Sequence, residues 1–189
     1  MDIKDAKVIR LWSMATLTAA ACAMALAIAA TAPVRAQAQA QAQTPAADPE
    51  DVAEGMRIYR TKADCQTCHG WAGDGRKMDT QMPDAPNLRL SRLGRAGIIY
   101  AIKCGRPGRG MPAFDRLAYT DAARCNNTTK ADLAKNSLEL VDPAAPLQPR
   151  EIEMLADFLF AKVIGKGTMD HAKCVEYWGE DTDVCREFK

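Results

Sequence analysis

Two cysteines separated by two residues, with a histidine directly after them, stand at Cys65-Gln66-Thr67-Cys68-His69. That order is the attachment signature of a c-type haem. The chemistry sets the spacing. Each thiol adds across one haem vinyl group to form a thioether, and the next residue then lies under the porphyrin, where its imidazole can bind iron as the proximal ligand. Other uses of paired cysteines fit less well. A structural zinc site needs four ligands, usually from a second closely spaced pair, and the only other histidine, His171, is distant and isolated. A thioredoxin-like pair needs a strand leading into a helix, and no strand pattern precedes Cys65.

Elements that would position this motif can be read on both sides of it. Pro49, with Glu50, Asp51 and Glu54 in or near a first turn, suits a helix start. Val52, Met56 and Tyr59 then recur at helical spacing, which predicts a helix from about Pro49 to Thr61 running straight into the motif. Gly55 weakens such a helix, so its expected use is close approach of a neighbour. Gly70 to Asn87 carries Gly73, Gly75, Pro83 and Pro86 and reads as loop. A second helix is expected from about Ser91 to Cys104, with Leu93, Ile98, Ile99 and Ile102 apolar, ended by Gly105-Arg106-Pro107-Gly108-Arg109-Gly110. Thr129-Lys130-Ala131-Asp132 resembles a capping box, and Asn126 and Asn127 read as turn residues. A further helix from about Pro149 to Ile164 shows Ile152, Leu155, Phe158, Leu159 and Val163 on one face. A short one from Met169 to Trp178 should stop at Gly179.

The chain has 189 residues, and its first part reads as targeting sequence. Lys4, Lys7 and Arg10 precede an apolar run from Leu11 to about Ala32, followed by small-residue cleavage sites from Val34-Arg35-Ala36 onward. Residues 1–36 are therefore expected to be a signal peptide and the mature protein periplasmic. The run is also long enough, at about 20 residues, to serve as an uncleaved anchor, and membrane association is expected only in that case. Cys22 lacks the preceding large aliphatic residue of a lipoprotein signal and reads as a small apolar residue. Residues 37–48, rich in Ala, Gln and Pro, read as a flexible leader. Without residues 1–38 the chain keeps 21 basic and 22 acidic side chains; near-neutral charge argues against a general nucleic-acid binder.

Seven cysteines must be placed. Cys22 leaves with the signal, and Cys65 and Cys68 belong to the motif. Cys104, Cys125, Cys174 and Cys185 remain, an even number suited to disulfides in an oxidising compartment. Of the three possible pairings, Cys104–Cys125 with Cys174–Cys185 closes the shorter loops, and each bridge would stabilise by about 3 kcal/mol under the chain-entropy view. Among the methionines, Met56 and Met154 fall at helical core positions, where methionine is a common filler. Met78, Met82 and Met111 follow the motif at a distance that suits a second iron ligand.

From about Pro49 to Lys166 the chain resembles the class I c-type cytochromes. The matching features are the first helix with Gly55 and Tyr59, the Cys-x-x-Cys-His motif, Pro86-Asn87-Leu88, Gly110-Met111-Pro112 and the helix after Pro149. The resemblance implies an all-α fold with helices packed around one covalently bound haem c. It implies that the Pro86 carbonyl accepts a hydrogen bond from the His69 ring, and that Met111 is the distal ligand, since Met82 precedes Pro86-Asn87-Leu88. It also implies that the helix after Pro149 crosses the first at Gly55 through Leu155 and Phe158. The chain departs from the family in a polar insertion at about 115–149 and in an extension at 167–189 that Cys174 and Cys185 would staple.

The implied function is one-electron transfer by a His/Met-ligated haem, shuttling electrons between a dehydrogenase or other donor and an oxidase or reaction-centre acceptor. A cytochrome subunit bound to a periplasmic dehydrogenase is the alternative, and a haem enzyme or gas sensor with an open iron position is a third reading. No catalytic acid–base or nucleophile constellation is present, so no catalytic residue is expected. Arg76, Lys77, Arg89, Arg92, Arg95, Lys103, Arg106 and Arg109 lie between the motif and Met111. They are expected to form a basic rim that steers an acidic redox partner.

Overall fold

The computed structural model of the chain describes residues 47–188. The expected signal peptide, Cys22 and most of the leader lie outside the described residues. No helix among the described residues is long and apolar enough to cross a membrane. Helix α1, Pro49–Arg57, is opened by the Asp48 carboxylate, which accepts from the Glu50 N–H at 2.8 Å. Proline fits the first turn because its missing N–H would have had no partner there. The helix widens into a π turn at Ile58–Lys62, a form that recurs at functional sites. This turn buries Ile58 and Tyr59 together just before Cys65.

Four further helices complete the frame around the short motif helix. They are α3 (Arg95–Cys104), α4 (Lys130–Lys135), α5 (Pro149–Lys162) and α6 (His171–Trp178), with α2 (Gln66–His69) carrying the motif. Short 3-10 turns lie at Leu88–Leu90 and Asp183–Phe188. No strand occurs among the described residues, only an isolated bridge between Arg106 and Met111. The second helix starts later than its apolar pattern suggested. Gly94 is its N-cap, and Leu93 stays outside it, 46% exposed.

The fold turns on the crossing of α1 and α5. Helix α5 buries the stripe Ile152, Leu155, Ala156, Phe158 and Leu159. At Gly55 the backbones come so close that a Cβ would lie 2.0 Å from the Met154 carbonyl oxygen and 2.7 Å from the Phe158 Cβ. The resulting core joins Ile58, Tyr59, Ile98, Ile102, Phe114, Leu155 and Phe158, with Tyr59 and Phe158 ring centres 5.4 Å apart.

The insertion is less polar in structure than in sequence. Leu147 enters the main core, and its N–H donates to the Phe114 carbonyl at 2.8 Å. Ala118, Tyr119 and Leu133 form a second core with Cys104, Ala113 and Cys125. Thr129 and Asp132 form the capping box of α4. Asn126 and Asn127 have positive φ of 54° and 51°, the turn conformation that asparagine tolerates best after glycine. Disulfides join Cys104 to Cys125 and Cys174 to Cys185. The extension lays Tyr177, Trp178 and Phe188 against Trp71, and the Tyr177 hydroxyl donates to the Trp71 carbonyl at 2.7 Å.

Because the α1 and α5 backbones meet at Gly55, Gly55→Ala forces the helices apart. We expect a loss of about 2–3 kcal/mol, the scale of core overpacking, in urea unfolding of the holoprotein. A change below about 0.5 kcal/mol would show that the crossing tolerates a methyl group.

Candidate haem-attachment site

The motif is held from both ends. The Tyr59 hydroxyl donates to the Gly70 carbonyl at 2.7 Å, tying the π turn to the residue after His69. Gly70 turns the chain with φ 77°, where a side chain would be strained and a Cβ would lie 2.6 Å from an Asp74 carboxylate oxygen. The loop then folds back on α2: the Gly75 N–H donates to the His69 carbonyl at 2.8 Å, and the Met78 N–H to the Thr67 carbonyl at 3.0 Å. Cys65 stands immediately before α2 and Cys68 within it.

His69 is 9% exposed, and its Nδ1 lies 3.1 Å from the Pro86 carbonyl oxygen. A carbonyl only accepts, so Nδ1 carries the proton and Nε2 keeps its lone pair. Burial pushes the imidazole pKa below its ordinary value, opposed by the bond to Pro86. The ring is therefore neutral at pH 7, which is the form that binds a metal.

Cys65 and Cys68 are the free cysteines of the described residues. Although Cys65 is partly exposed, burial around its sulfur pushes the thiol up to about 12, with the Asp64 carboxylate adding to the effect. Burial and Asp64 also raise Cys68. A redox-active pair needs a lowered thiol pKa, so a thioredoxin-like role does not suit these two. Nor does a metal cage: among the described residues, no group of three or more His, Cys, Asp or Glu side chains could hold an ion. Paired thiols outside any disulfide, beside an imidazole whose Nε2 is uncommitted, fit covalent attachment of a haem.

Met111 sits in a loop with several anchors. The Arg106 N–H donates to its carbonyl at 2.9 Å. Gly105, with φ 62°, passes so close that a Cβ would lie 2.6 Å from the same oxygen. Gly110 packs on Pro83, at 2.7 Å from Cγ to a placed Cβ, so the loop abuts the segment that leads to Pro86. The insertion holds the far side, where the Gly108 N–H donates to the Glu139 carbonyl at 2.7 Å. Met56 and Met154 pack against the main core and Met169 into the tail core. Met82 and Met111 are both half-buried and belong to none of the three apolar clusters. Met78 is 61% exposed. His171 pairs with Asp181 at 3.1 Å in the extension.

The expected basic rim needs correction at Arg89. Its side chain is 1% exposed, because its guanidinium reaches carbonyls of the α5 end and the following turn. Arg95 is paired with Glu153 and Asp157 on α5, Arg76 with Asp74 and Lys77 with Asp84. Arg92, Lys103, Arg106 and Arg109 are exposed and form no ion pair among the described residues. Sequence reasoning did not anticipate the supports from Tyr59, Gly75 and the insertion. Only the Gly75-type positive φ left a trace in the composition of the loop.

Thiol labelling of the denatured mature protein should find no reactive cysteine before reduction and four after it, with Cys65 and Cys68 silent in both. Intact mass should show one haem, absent from the Cys65→Ser/Cys68→Ser variant. Labelling of Cys65 and Cys68 in the holoprotein would contradict thioether attachment.

Comparison with known proteins agrees with this geometry. Residues 50–125 match the family model described as cytochrome C oxidase, cbb3-type, subunit III. No curated protein and no solved structure matches the chain. The matched stretch runs from α1 through the motif and the Met111 loop to Cys125, and it supports a c-type cytochrome that transfers electrons through a c-type haem.

Proposed function

We propose that the mature chain is a periplasmic one-electron carrier with one haem c attached through Cys65 and Cys68, the iron held by His69 and Met111. The observation that carries this reading is the 3.1 Å contact between His69 Nδ1 and the Pro86 carbonyl. It leaves Nε2 as the ring's free donor at the end of a Cys-x-x-Cys-His motif. Bound between an imidazole and a thioether, a haem supplies one-electron chemistry and offers no open position to a substrate.

The protein's part is to hold the two ligands. The Pro86 carbonyl orients the imidazole and raises its basicity. Tyr59, Gly75 and the Gly73 carbonyl, which accepts from the Leu88 and Arg89 N–H groups, fix the loop that presents Pro86. On the other side, the Cys104–Cys125 bridge closes at the root of the Met111 loop, and the Tyr119 hydroxyl donates to the Cys104 carbonyl at 2.9 Å. Two ligands held on separately braced segments need little rearrangement when the charge on the iron changes by one. Arg92, Lys103, Arg106 and Arg109 remain as the exposed cations that would steer an acidic partner.

Two measurements test the reading. Met111→Ala should remove the weak far-red sulfur-to-iron band of the oxidised protein, lower the reduction potential, and let the reduced protein bind carbon monoxide; a wild-type protein that already binds carbon monoxide at neutral pH would point to an open site. Oxidation of the reduced protein by ferricyanide should slow several-fold as ionic strength rises from about 0.01 to 0.1 M, and a rate indifferent to salt would remove the basic steering surface. Recovery of the cytochrome alone from periplasmic extracts supports the shuttle, and recovery with a large dehydrogenase supports the bound subunit.

A further inference from the structure

Behind the motif, between the 3-10 turn at Leu88–Leu90, the end of α5 and helix α6, lies a cleft of about 90 Å³ lined by Arg89, Lys162, Lys166, Lys173, Glu176 and Tyr177. Four of these six side chains are cationic and one is acidic. Arg89 is the unusual member. It is 1% exposed, and its recorded bonds run from Nε to the Gly167 carbonyl at 2.6 Å and from Nη1 to the Lys162 carbonyl at 3.4 Å. No carboxylate hydrogen-bonds to it among the described residues. Burial lowers its pKa, opposed through space by Asp74, Asp170, Tyr177 and Glu176, none of which hydrogen-bonds to it. A guanidinium carries five N–H donors, so donors remain beyond the two bonds recorded.

The surrounding lysines do not neutralise one another. Lys173 is paired with Asp170 and also donates to the Thr168 carbonyl at 2.9 Å. Lys162 donates to the Glu176 carbonyl at 2.8 Å, a neutral partner. Lys166 is half-buried, its backbone N–H donates to the Val163 carbonyl at 3.2 Å, and its ammonium forms no hydrogen bond or ion pair among the described residues. Gathering half-buried lysines around one buried guanidinium is unfavourable unless opposite charge joins them. Planar guanidinium and compact ammonium groups together form a common oxyanion cradle.

We propose that this cleft binds a small tetrahedral oxyanion of the phosphate or sulfate class, held by Arg89 and Lys166 with Lys162 and Lys173 at its rim. The cleft is too small for a nucleotide. The bound ion would tie the extension to the cytochrome domain, because Arg89 belongs to the segment after Pro86 and the lysines to the α5 end, the turn after it and α6. The inference is independent of the iron ligands.

The test is titration of the holoprotein with inorganic phosphate at constant ionic strength, by calorimetry and by thermal melting. We expect saturable binding and a raised melting temperature, neither reproduced by chloride. Arg89→Gln risks the fold, so the deciding variants are Lys166→Ala and Lys166→Glu, with Lys135→Glu, at an exposed position of α4, as a control whose charge change equals that of Lys166→Glu. Lys166→Ala should weaken phosphate binding about tenfold, the scale of one charge-assisted hydrogen bond. Lys166→Glu should abolish it, and Lys135→Glu should leave it unchanged. Absence of saturable binding, or equal weakening by Lys135→Glu and Lys166→Glu, would overturn the proposal. Phosphatidylcholine vesicles with and without phosphatidylglycerol separate the sources of the ion. Cosedimentation that requires phosphatidylglycerol and is lost in Lys166→Glu assigns a lipid headgroup; phosphate binding without cosedimentation assigns the free ion.

Discussion

A single hydrogen bond sets the chemistry of this protein: His69 Nδ1–H to the Pro86 carbonyl at 3.1 Å. It decides which ring nitrogen carries the proton and so which one keeps the lone pair that the proposed iron ligation requires. A carbonyl can do this only if the loop that carries it is fixed. Here the loop is tied to the motif by Gly75 on His69 and by Met78 on Thr67, and to itself by Gly73, whose carbonyl receives both Leu88 and Arg89. The Asn87 side chain adds a bond to the Arg89 N–H at 2.9 Å. Most of these bonds are backbone to backbone, so they hold the loop's course while leaving most of its side chains free to differ.

The helical frame brings the ends of that loop to their places. Gly55 lets α1 settle against α5, and the π turn that follows directs Tyr59 inward to the Gly70 carbonyl. Few aromatics are available, and several are concentrated where the extension covers Trp71. Arg60 lies 4.6 Å over the Trp178 ring in the same region. A small domain has limited apolar area of its own. The two disulfides act at its margins, one at the root of the Met111 loop and one within the extension.

What the sequence revealed was mostly local. The Cys-x-x-Cys-His motif was legible as a candidate site because all of its residues lie within five positions. Short loops suggested the disulfide partners that the structure joins, and Gly55 signalled a close approach. The insertion was harder. Ala118, Tyr119 and Leu133 have no helical period, and they make a core only because Cys125 brings them to Cys104. Arg89 was harder still. In a run of basic residues it looks like surface, and its burial depends on carbonyls at Lys162 and Gly167, more than seventy positions later. Leu93 misled for the opposite reason. It shares the apolar period of α3, but Gly94 caps the helix after it.

The central proposal is that His69 and Met111 hold the two sides of a haem iron. Proton NMR of the reduced holoprotein, with methionine methyl groups isotopically labelled, addresses this directly. It should show a diamagnetic spectrum with one methionine methyl shifted far upfield by the porphyrin ring current, and Met111→Leu should remove that signal alone. A high-spin spectrum with no upfield methionine methyl, or an upfield methyl that survives in Met111→Leu, would contradict the assignment.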